Sequence, residues 1–238
     1  MLTLFFVPDL GTSASILVEG DEAHHAIKVL RIEMGEEVLL ADGGGEWARC
    51  LIEKISKKSF VAQVLERGIS VEVSPELIVI QALMKSERAK EAIELLTVAG
   101  ATKIIPWQSQ RSIAKWQDDL GAKWVNTSIA AAKQSRRLNL PEIEGLITTA
   151  QIVKRFGGTS NLLILHEGAT IKISEAALEF EPGTIILVIG PEGGLTGEEL
   201  GQLGAAGGNI VLLGNGVFRS AHAGFAAISA ISALTGRW

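Results

Sequence analysis

Thr184-Ile-Ile-Leu-Val-Ile-Gly-Pro-Glu-Gly-Gly194 joins a short run of Leu and β-branched residues to a glycine turn. Downstream, Asn209-Ile-Val-Leu-Leu-Gly-Asn-Gly-Val-Phe-Arg-Ser-Ala-His-Ala223 repeats the arrangement. Apolar runs this short, bounded by glycine, predict buried strands. Each therefore ends in a loop whose backbone can approach a ligand closely, and parallel α/β sheets place their ligands beyond the carboxyl ends of strands. The stretch predicts an α/β fold with a small-molecule site at its glycine loops.

Working outward, residues 77–83 form an apolar strand that runs into Met84-Lys-Ser-Glu-Arg88, where Ser86 can cap a helix with Ala89, Ala92, Ile93, Leu96 and Thr97 on its inner face. Gly100 stops that helix, and Lys103-Ile-Ile-Pro-Trp107 returns as a strand, which completes a βαβ unit and implies a parallel sheet. Gln110-Arg111-Ser112 follows at the ligand end of that strand. A long helix is expected from Asp118 to Arg137, with Trp124, Ile129, Ala130 and Ala132 among its apolar positions and Lys133, Arg136 and Arg137 at its end, where positive charge also suits the helix dipole. Strands at 161–165, 184–189 and 209–213 alternate with helices at 173–180 and 198–205. The last helix, 220–234, has Phe225, Ile228 and Ile231 at helical spacing and no strongly charged face, which suits a core or a subunit interface.

The N-terminal third has a different grammar. Strands are expected at 4–7, 37–41, 46–55 and 59–65, with Gly35 and Gly43-Gly44-Gly45 as turns and one helix capped by Asp21 with Ala26, Val29 and Leu30 on its apolar face. A small β-barrel fits, as an RNA-binding or a purely structural domain. The boundary falls near residues 68–76, giving domains 1–72 and 73–238.

Composition narrows the function classes. The chain of 238 residues is 47% hydrophobic and 21% charged, as expected of a folded globular protein. Its apolar runs are too short to span a bilayer and its N-terminus lacks the basic region of a signal peptide, so a cytoplasmic location without a membrane is expected. A single cysteine, Cys50, excludes an internal disulfide framework and reads as a small core residue. Net charge is -5, yet residues 74–145 carry 10 basic and 8 acidic groups against 7 and 12 in residues 1–73. Any nucleic-acid contact is therefore a local patch: Lys85, Arg88 and Lys90, Arg111 and Lys115, or Lys133, Arg136 and Arg137. Solvated helix faces would look the same.

Neither glycine loop matches GxxxxGK[ST] or a GxGxxG opening a helix, so an NTPase or a nicotinamide enzyme is poorly supported. What remains is a nucleoside-type ligand held by backbone groups, with Arg219 and the Ser220 cap at the start of the last helix as a positive end. Adjacent His24 and His25 diverge by about 100° on a helix and cannot share a metal, so no metal site is expected. His166 and His222 lie near the presumed cleft as proton-transfer candidates or as hydrogen-bonded structural residues.

Several short stretches together carry a family resemblance. Phe5-Phe6-Val7-Pro8, Glu22-Ala-His-His25 with Val29-Leu30-Arg31, Ala131-Ala-Lys-Gln-Ser-Arg136, His166-Glu167, Gly190-Pro-Glu-Gly-Gly194 and Leu213-Gly214 leading to Arg219 occur in the order found in the bacterial 16S ribosomal RNA uracil-N3 methyltransferases. The chain resembles that family over essentially its whole length. The resemblance implies a PUA-like β-barrel followed by a SPOUT, or α/β trefoil-knot, methyltransferase domain, S-adenosylmethionine as methyl donor, and a homodimer acting on the RNA of the small ribosomal subunit. Gly216 and Ala221-His222 depart from the common Leu-Gly-x-Arg-Ile-Leu-Arg-x-Glu-Thr-Ala ending, Val98 and Lys133 each stand where glutamate is usual, and Arg219 is retained.

The resemblance implies roles for particular residues. Leu165, His166, Glu167, Gly190, Pro191, Glu192, Gly193, Gly194, Leu212, Leu213, Gly214, Val217 and Phe218 would hold the cofactor, Val217 and Phe218 against its adenine. Arg219 would meet the acceptor base, with Glu192, His222 or solvent taking the proton. Arg111, Lys133, Gln134 and Arg136 would line the RNA side of the cleft, and Lys28 and Arg31 of the barrel would hold more distant backbone. Two alternatives stand beside this: a SPOUT methyltransferase for another RNA position, and a non-catalytic RNA-binding ribosome-assembly protein.

Overall fold

The computed structural model describes residues 2–71, 73–117 and 119–238. It divides into two compact units, Met1–Glu72 with Ala132–Leu140, and Val73–Ala131 with Pro141–Trp238.

The first unit contains β1 (Thr3–Phe6), β2 (Ser15–Val18), α1 (Gly20–His24), β3 (Glu37–Ala41), β4 (Glu46–Ile55) and β5 (Phe60–Ile69). The strands form one curled sheet in the order β1-β3-β4-β5-β2, parallel only between β1 and β3. Among the described residues β1 and β2 stay unpaired with each other, so the barrel is open on that side. Alternation along β4 sends Ala48, Cys50 and Ile52 inward against Phe5, Leu40 and Phe60. Burial pushes the Cys50 thiol up to about 11, as befits an inert core residue.

Four details of this unit correct or extend the sequence reading. β2 was not expected, because Ser15-Ile-Leu-Val18 is too short to display a period. Asp21 is not the cap: the helix starts at Gly20 with Glu19 in the cap position and no side-chain cap bond, leaving Asp21 to act on the dipole from the first turn. A π-helical turn, His25–Leu30, then follows, and Arg31 closes it at φ 55. The Gly43-Gly44-Gly45 segment does more than turn: Gly43 and Gly44 bridge to Asn139, and Leu140 N–H donates to the Gly43 carbonyl at 2.8 Å.

The second unit runs β6 (Leu77–Ala82), α2 (Ser86–Ala99), β7 (Lys103–Trp107), α3 (Leu120–Ser135, whose last residues group with the first unit), β8 (Glu142–Ile143), α4 (Thr149–Phe156), β9 (Leu162–Leu165), β10 (Ile171–Lys172), α5 (Ile173–Ala176) with a 3₁₀ turn, β11 (Ile185–Ile189), α6 (Gly197–Ala205), β12 (Asn209–Leu212) and α7 (Ser220–Leu234). All neighbours in its sheet, ordered β10-β12-β9-β11-β6-β7-β8, are parallel. β6 and β11 are buried along their whole length, as strands covered on both faces must be.

Helices α2 and α7 pack on one face through Ala92, Ile93, Leu96, Ala227, Ile228 and Ile231. Gly224 permits this approach: a Cβ there would lie 2.5 Å from Leu96 Cδ2 and 2.6 Å from Ile189 Cδ1. The start of α7 is thereby pressed onto the end of β11.

Helix boundaries fall near the expected residues, but the expected cap of α2 does not hold. Ser86 is the first residue of α2, and Lys85 takes the cap position without a side-chain bond. α3 ends at Ser135 because Arg136 adopts φ 59, while its expected start, Asp118, lies outside the described residues. β8, α4 and β10 were not anticipated. Among the described residues no helix is long and apolar enough to cross a membrane.

Edge strand β8 is held by charge. Arg155 of α4 grips Glu144 through both terminal nitrogens, and Lys103 of β7 reaches Glu144 at 2.9 Å and Glu142 at 3.0 Å. The Arg155 bonds, aided by Lys103 and opposed by burial, hold the Glu144 carboxyl at about 2, well below its ordinary 4.5. A depressed folded-state value stabilises the fold above pH 4.5, and that contribution is lost as pH falls toward 2. Glu144→Gln should therefore cost about 2 kcal/mol at neutral pH, after allowance for the half-exposed Arg155. Urea unfolding at stepped pH checks it: the gap between variant and parent should narrow below pH 4.5 and close as pH falls through about 2, and a pH-independent gap would refute the electrostatic cause.

Candidate active site

Strands β12, β9 and β11 are neighbours in the sheet, so the loops leaving their carboxyl ends converge. These loops, with the start of α7 and Arg88 and Arg111, enclose a cavity of about 640 Å³. That volume suits a small molecule of nucleoside size.

The β9 loop is a tight turn. His166 N–H donates to the Val211 carbonyl at 3.1 Å, and its Nδ1 accepts from Gly168 N–H at 3.0 Å. With Nδ1 accepting, Nε2 is the ring nitrogen left to face the cavity. The β11 loop turns through a 2.9 Å bond from Gly194 N–H to the Pro191 carbonyl, with Gly194 at φ +72, a region costly to residues bearing a Cβ. Thr196 then caps α6 in a box with Glu199.

The β12 loop ends at Arg219, which takes the cap position of α7 in place of the expected Ser220, the first residue of the helix. Ser220 gives its hydroxyl proton to the Gly190 carbonyl at 2.5 Å and accepts from Gln81 Nε2 at 3.3 Å. Because the serine has one proton and spends it on Gly190, the facing group of Gln81 must be its NH₂. This strut joins β6, the β11 loop and α7. The Arg219 carbonyl accepts from His222 N–H and Ala223 N–H, while its exposed side chain has no polar partner among the described residues.

All of the residues expected to hold a cofactor stand on this wall: Leu165, His166 and Glu167 from β9, Gly190, Pro191, Glu192, Gly193 and Gly194 from β11, and Leu212, Leu213, Gly214, Val217 and Phe218 from β12. Arg219 joins them, as does Arg111. Val217 is 79% exposed and Phe218 46%, so both apolar side chains face open space at the mouth.

Other expected residues are placed differently. His222 points to α2, where its Nε2 meets Glu91 Oε1 at 2.8 Å; Ala221 and Ala223 line the cavity and His222 is not among its lining residues. Glu91 also bonds Arg88 at 2.7 Å, and its carboxyl is lowered first by His222 and then by Arg88. Lys133 and Arg136 group with the first unit, where Lys133 pairs with Glu22 and Arg136 donates to the Leu2 carbonyl; Gln134 is exposed beside them. Lys28 and Arg31 are exposed at the π-helical turn.

Sequence reasoning missed Gln81, Ser220 as a strut, and Glu199. Two of them left a trace: a glutamine inside the apolar run Leu77-Ile-Val-Ile-Gln-Ala82, and the Thr-x-x-Glu capping signature at Thr196.

Comparison with known proteins follows the same division. Residues 72–232 match the model of an RNA methyltransferase domain and residues 18–65 that of an RNA methyltransferase PUA domain. The ribosomal RNA small subunit methyltransferase E of Mycobacterium bovis is 41% identical over 244 residues, covering 99% of this chain and 93% of the relative. Its namesake in Bacillus subtilis is 28% identical, covering 92% and 90%. The ribosomal RNA small subunit methyltransferase E of Neisseria gonorrhoeae, solved bound to S-adenosyl methionine, superposes with a TM-score of 0.90 at 26% identity over 98% of both chains. The architecture is thus a PUA domain followed by a SPOUT α/β-knot methyltransferase domain. With a family model matching over two thirds of its length and a 41% identical relative along nearly all of it, the chain belongs to the RNA methyltransferase family that includes the ribosomal RNA small subunit methyltransferases E.

Proposed function

We propose that the protein methylates N3 of a uridine in the 16S ribosomal RNA of the small subunit, using S-adenosylmethionine. The observation that carries this reading is the convergence of three backbone-rich loops from adjacent strands β12, β9 and β11 on a nucleoside-sized cavity, with an arginine at its rim whose side chain has no polar partner among the described residues. The neighbour bound to S-adenosyl methionine supports the same ligand here.

The residues fit such a molecule. Positions 214 and 216 have open space where a Cβ would stand, so chain amides and carbonyls are accessible to a ligand. Val217 and Phe218 offer an apolar face to adenine, and the carboxylates of Glu167 and Glu192 on the wall suit a positively charged sulfonium. The cofactor supplies an activated methyl group, so the protein's task is to orient the acceptor and manage its charge. Arg219 stabilises the negative charge left on the uracil ring when N3 loses its proton. Glu192, exposed on the β11 loop, or solvent takes that proton; His222 is committed to Glu91.

Residues 1–72 form the RNA-binding domain and residues 73–238 the catalytic one. Exposed Lys28 and Arg31 contact phosphates, which provide affinity, while entry of an unstacked uridine into the cavity provides selection. The protein acts in the cytoplasm as a homodimer, for which exposed Val98 of α2 and Leu234 of α7 supply apolar surface.

The test is methyl transfer from labelled S-adenosylmethionine to small subunits lacking the modification, with the product nucleoside identified by mass. Labelled 3-methyluridine is expected, with RNA affinity falling steeply as salt rises. A different methylated nucleoside would reassign the target, and RNA binding without cofactor binding would leave a non-catalytic ribosome-assembly protein.

A further inference from the structure

We infer that Arg111 and Glu199 form a two-point clamp that sets the shape of the 190–194 loop, which makes Arg111 a positioning residue for the cofactor pocket and not a contact for RNA phosphate. The inference rests on the cofactor reading above.

Its first point is a buried carboxylate. Glu199, in the first turn of α6, is 0% exposed. Its Oε1 accepts from Gln110 N–H at 2.8 Å, and its Oε2 accepts from Thr196 N–H at 3.0 Å and from the Thr196 hydroxyl at 3.1 Å. A helix cap needs only the Thr196 bonds. The bond to Gln110 instead ties the loop after β7 to the first turn of α6, directly after the β11 loop, between residues 89 apart in sequence.

Its second point is the neighbouring side chain. A tight turn, with Ser112 N–H donating to the Ser109 carbonyl at 3.2 Å and the two serine hydroxyls 2.7 Å apart, carries Arg111 near its tip. From there the guanidinium reaches back, Nη1 donating to the Gly193 carbonyl at 2.9 Å and the Leu195 carbonyl at 3.4 Å. The aliphatic stem lies along the glycine: a Cβ at Gly193 would sit 3.4 Å from Arg111 Cβ and 3.7 Å from its Cδ. The path Gln110, Glu199, Thr196, Leu195, Gly193, Arg111 closes a ring made of these hydrogen bonds and the short chain segments between them.

The contrast with Arg219 decides the role. Both arginines line the cavity, yet Arg219 has no polar partner among the described residues, whereas Arg111 is anchored to two carbonyls of the loop it touches. Hydrogen bonds from a charged donor are directional and stronger than neutral ones, so Arg111 holds Gly193 and Leu195 in place for the ligand that the loop receives. Pre-ordering a binding loop raises affinity by removing the cost of ordering it later.

Arg111→Ala, Arg111→Lys and Glu199→Gln, made in the full chain, test this. S-adenosylmethionine affinity is measured by calorimetry, small-subunit RNA affinity by filter binding across salt, and amide exchange over residues 193–196 by mass spectrometry. Arg111→Ala should weaken cofactor binding about tenfold, leave RNA affinity and its salt slope unchanged, and speed exchange in the loop. Lysine should restore part of the cofactor affinity, since an ammonium can reach one carbonyl. Glu199→Gln sets an amide N–H₂ against Thr196 N–H or Gln110 N–H and should act in the same direction; adding Arg111→Ala to it should cost less than tenfold.

The inference is overturned if Arg111→Ala lowers RNA affinity and its salt slope with cofactor affinity intact, or if neither cofactor affinity nor loop exchange changes. Should the parent protein itself fail to bind S-adenosylmethionine, the cofactor reading falls, and unchanged loop exchange in Arg111→Ala would then reject the clamp separately. Arg111 is solvent-exposed, so its variants fold even if the buried Glu199 change does not.

Discussion

Arg219→Ala lowers the rate of methyl transfer by about 10²- to 10³-fold while S-adenosylmethionine affinity stays within a few-fold of the parent. The magnitude is that of removing one preorganised donor facing developing negative charge, about 3–4 kcal/mol. Structure makes the substitution clean. Arg219 caps α7 through its backbone, its carbonyl accepting from His222 and Ala223 N–H, and its side chain makes no polar contact with other described residues. No polar contact among the described residues is removed with the guanidinium. Arg219→Lys keeps the charge without the planar fork and should fall between the two. Single-turnover rates, measured at saturating cofactor, separate this from weaker binding. An unchanged rate, or a loss matched by an equal loss of cofactor affinity, would remove Arg219 from the chemistry.

Trp107→Ala costs about 3–5 kcal/mol of stability, the range for deleting a large buried aromatic side chain. Trp107 is 0% exposed at the end of β7, where its Nε1 donates to the Thr149 hydroxyl at 3.2 Å and its carbonyl accepts from Leu83 N–H at 2.9 Å. Its ring lies in the core on the sheet face that carries Ile152 of α4 and Leu203 of α6. Thermal unfolding should drop by roughly 10 °C or more for a chain of this size. Trp107→Phe should cost less, losing volume and the Thr149 bond. The same residue anchors the segment that carries Arg111, so residual folded Trp107→Ala should also bind cofactor poorly. A stability loss below 1 kcal/mol would mean that the site collapses around the gap.

Much of this protein follows from its residues in order. The runs at Leu77, Lys103, Ile185 and Asn209 are strands because short apolar β-branched segments bounded by glycine and polar residues bury best in a covered sheet, and α7 runs over the expected residues because its apolar spacing is helical. The glycine loops at 190–194 and 214–216 announced a backbone-lined site for the same local reason.

Tertiary structure decided the rest. Periodicity reports that a face is buried but not against what, so only the fold places β11 between β9 and β6 and thereby brings three loops from distant parts of the chain to one cavity. Strands of two residues such as β8 and β10 carry no period at all; they exist because a neighbouring strand and, at β8, a charge network hold them. Partners across long sequence separations are equally invisible in one chain. Arg111 resembles a solvated cation in sequence, and so does Lys133; His222 resembles a base. Gly193, Glu22 and Glu91 respectively give them other work, because hydrogen bonds and ion pairs are satisfied by whatever the fold brings within 3 Å, not by neighbours along the chain.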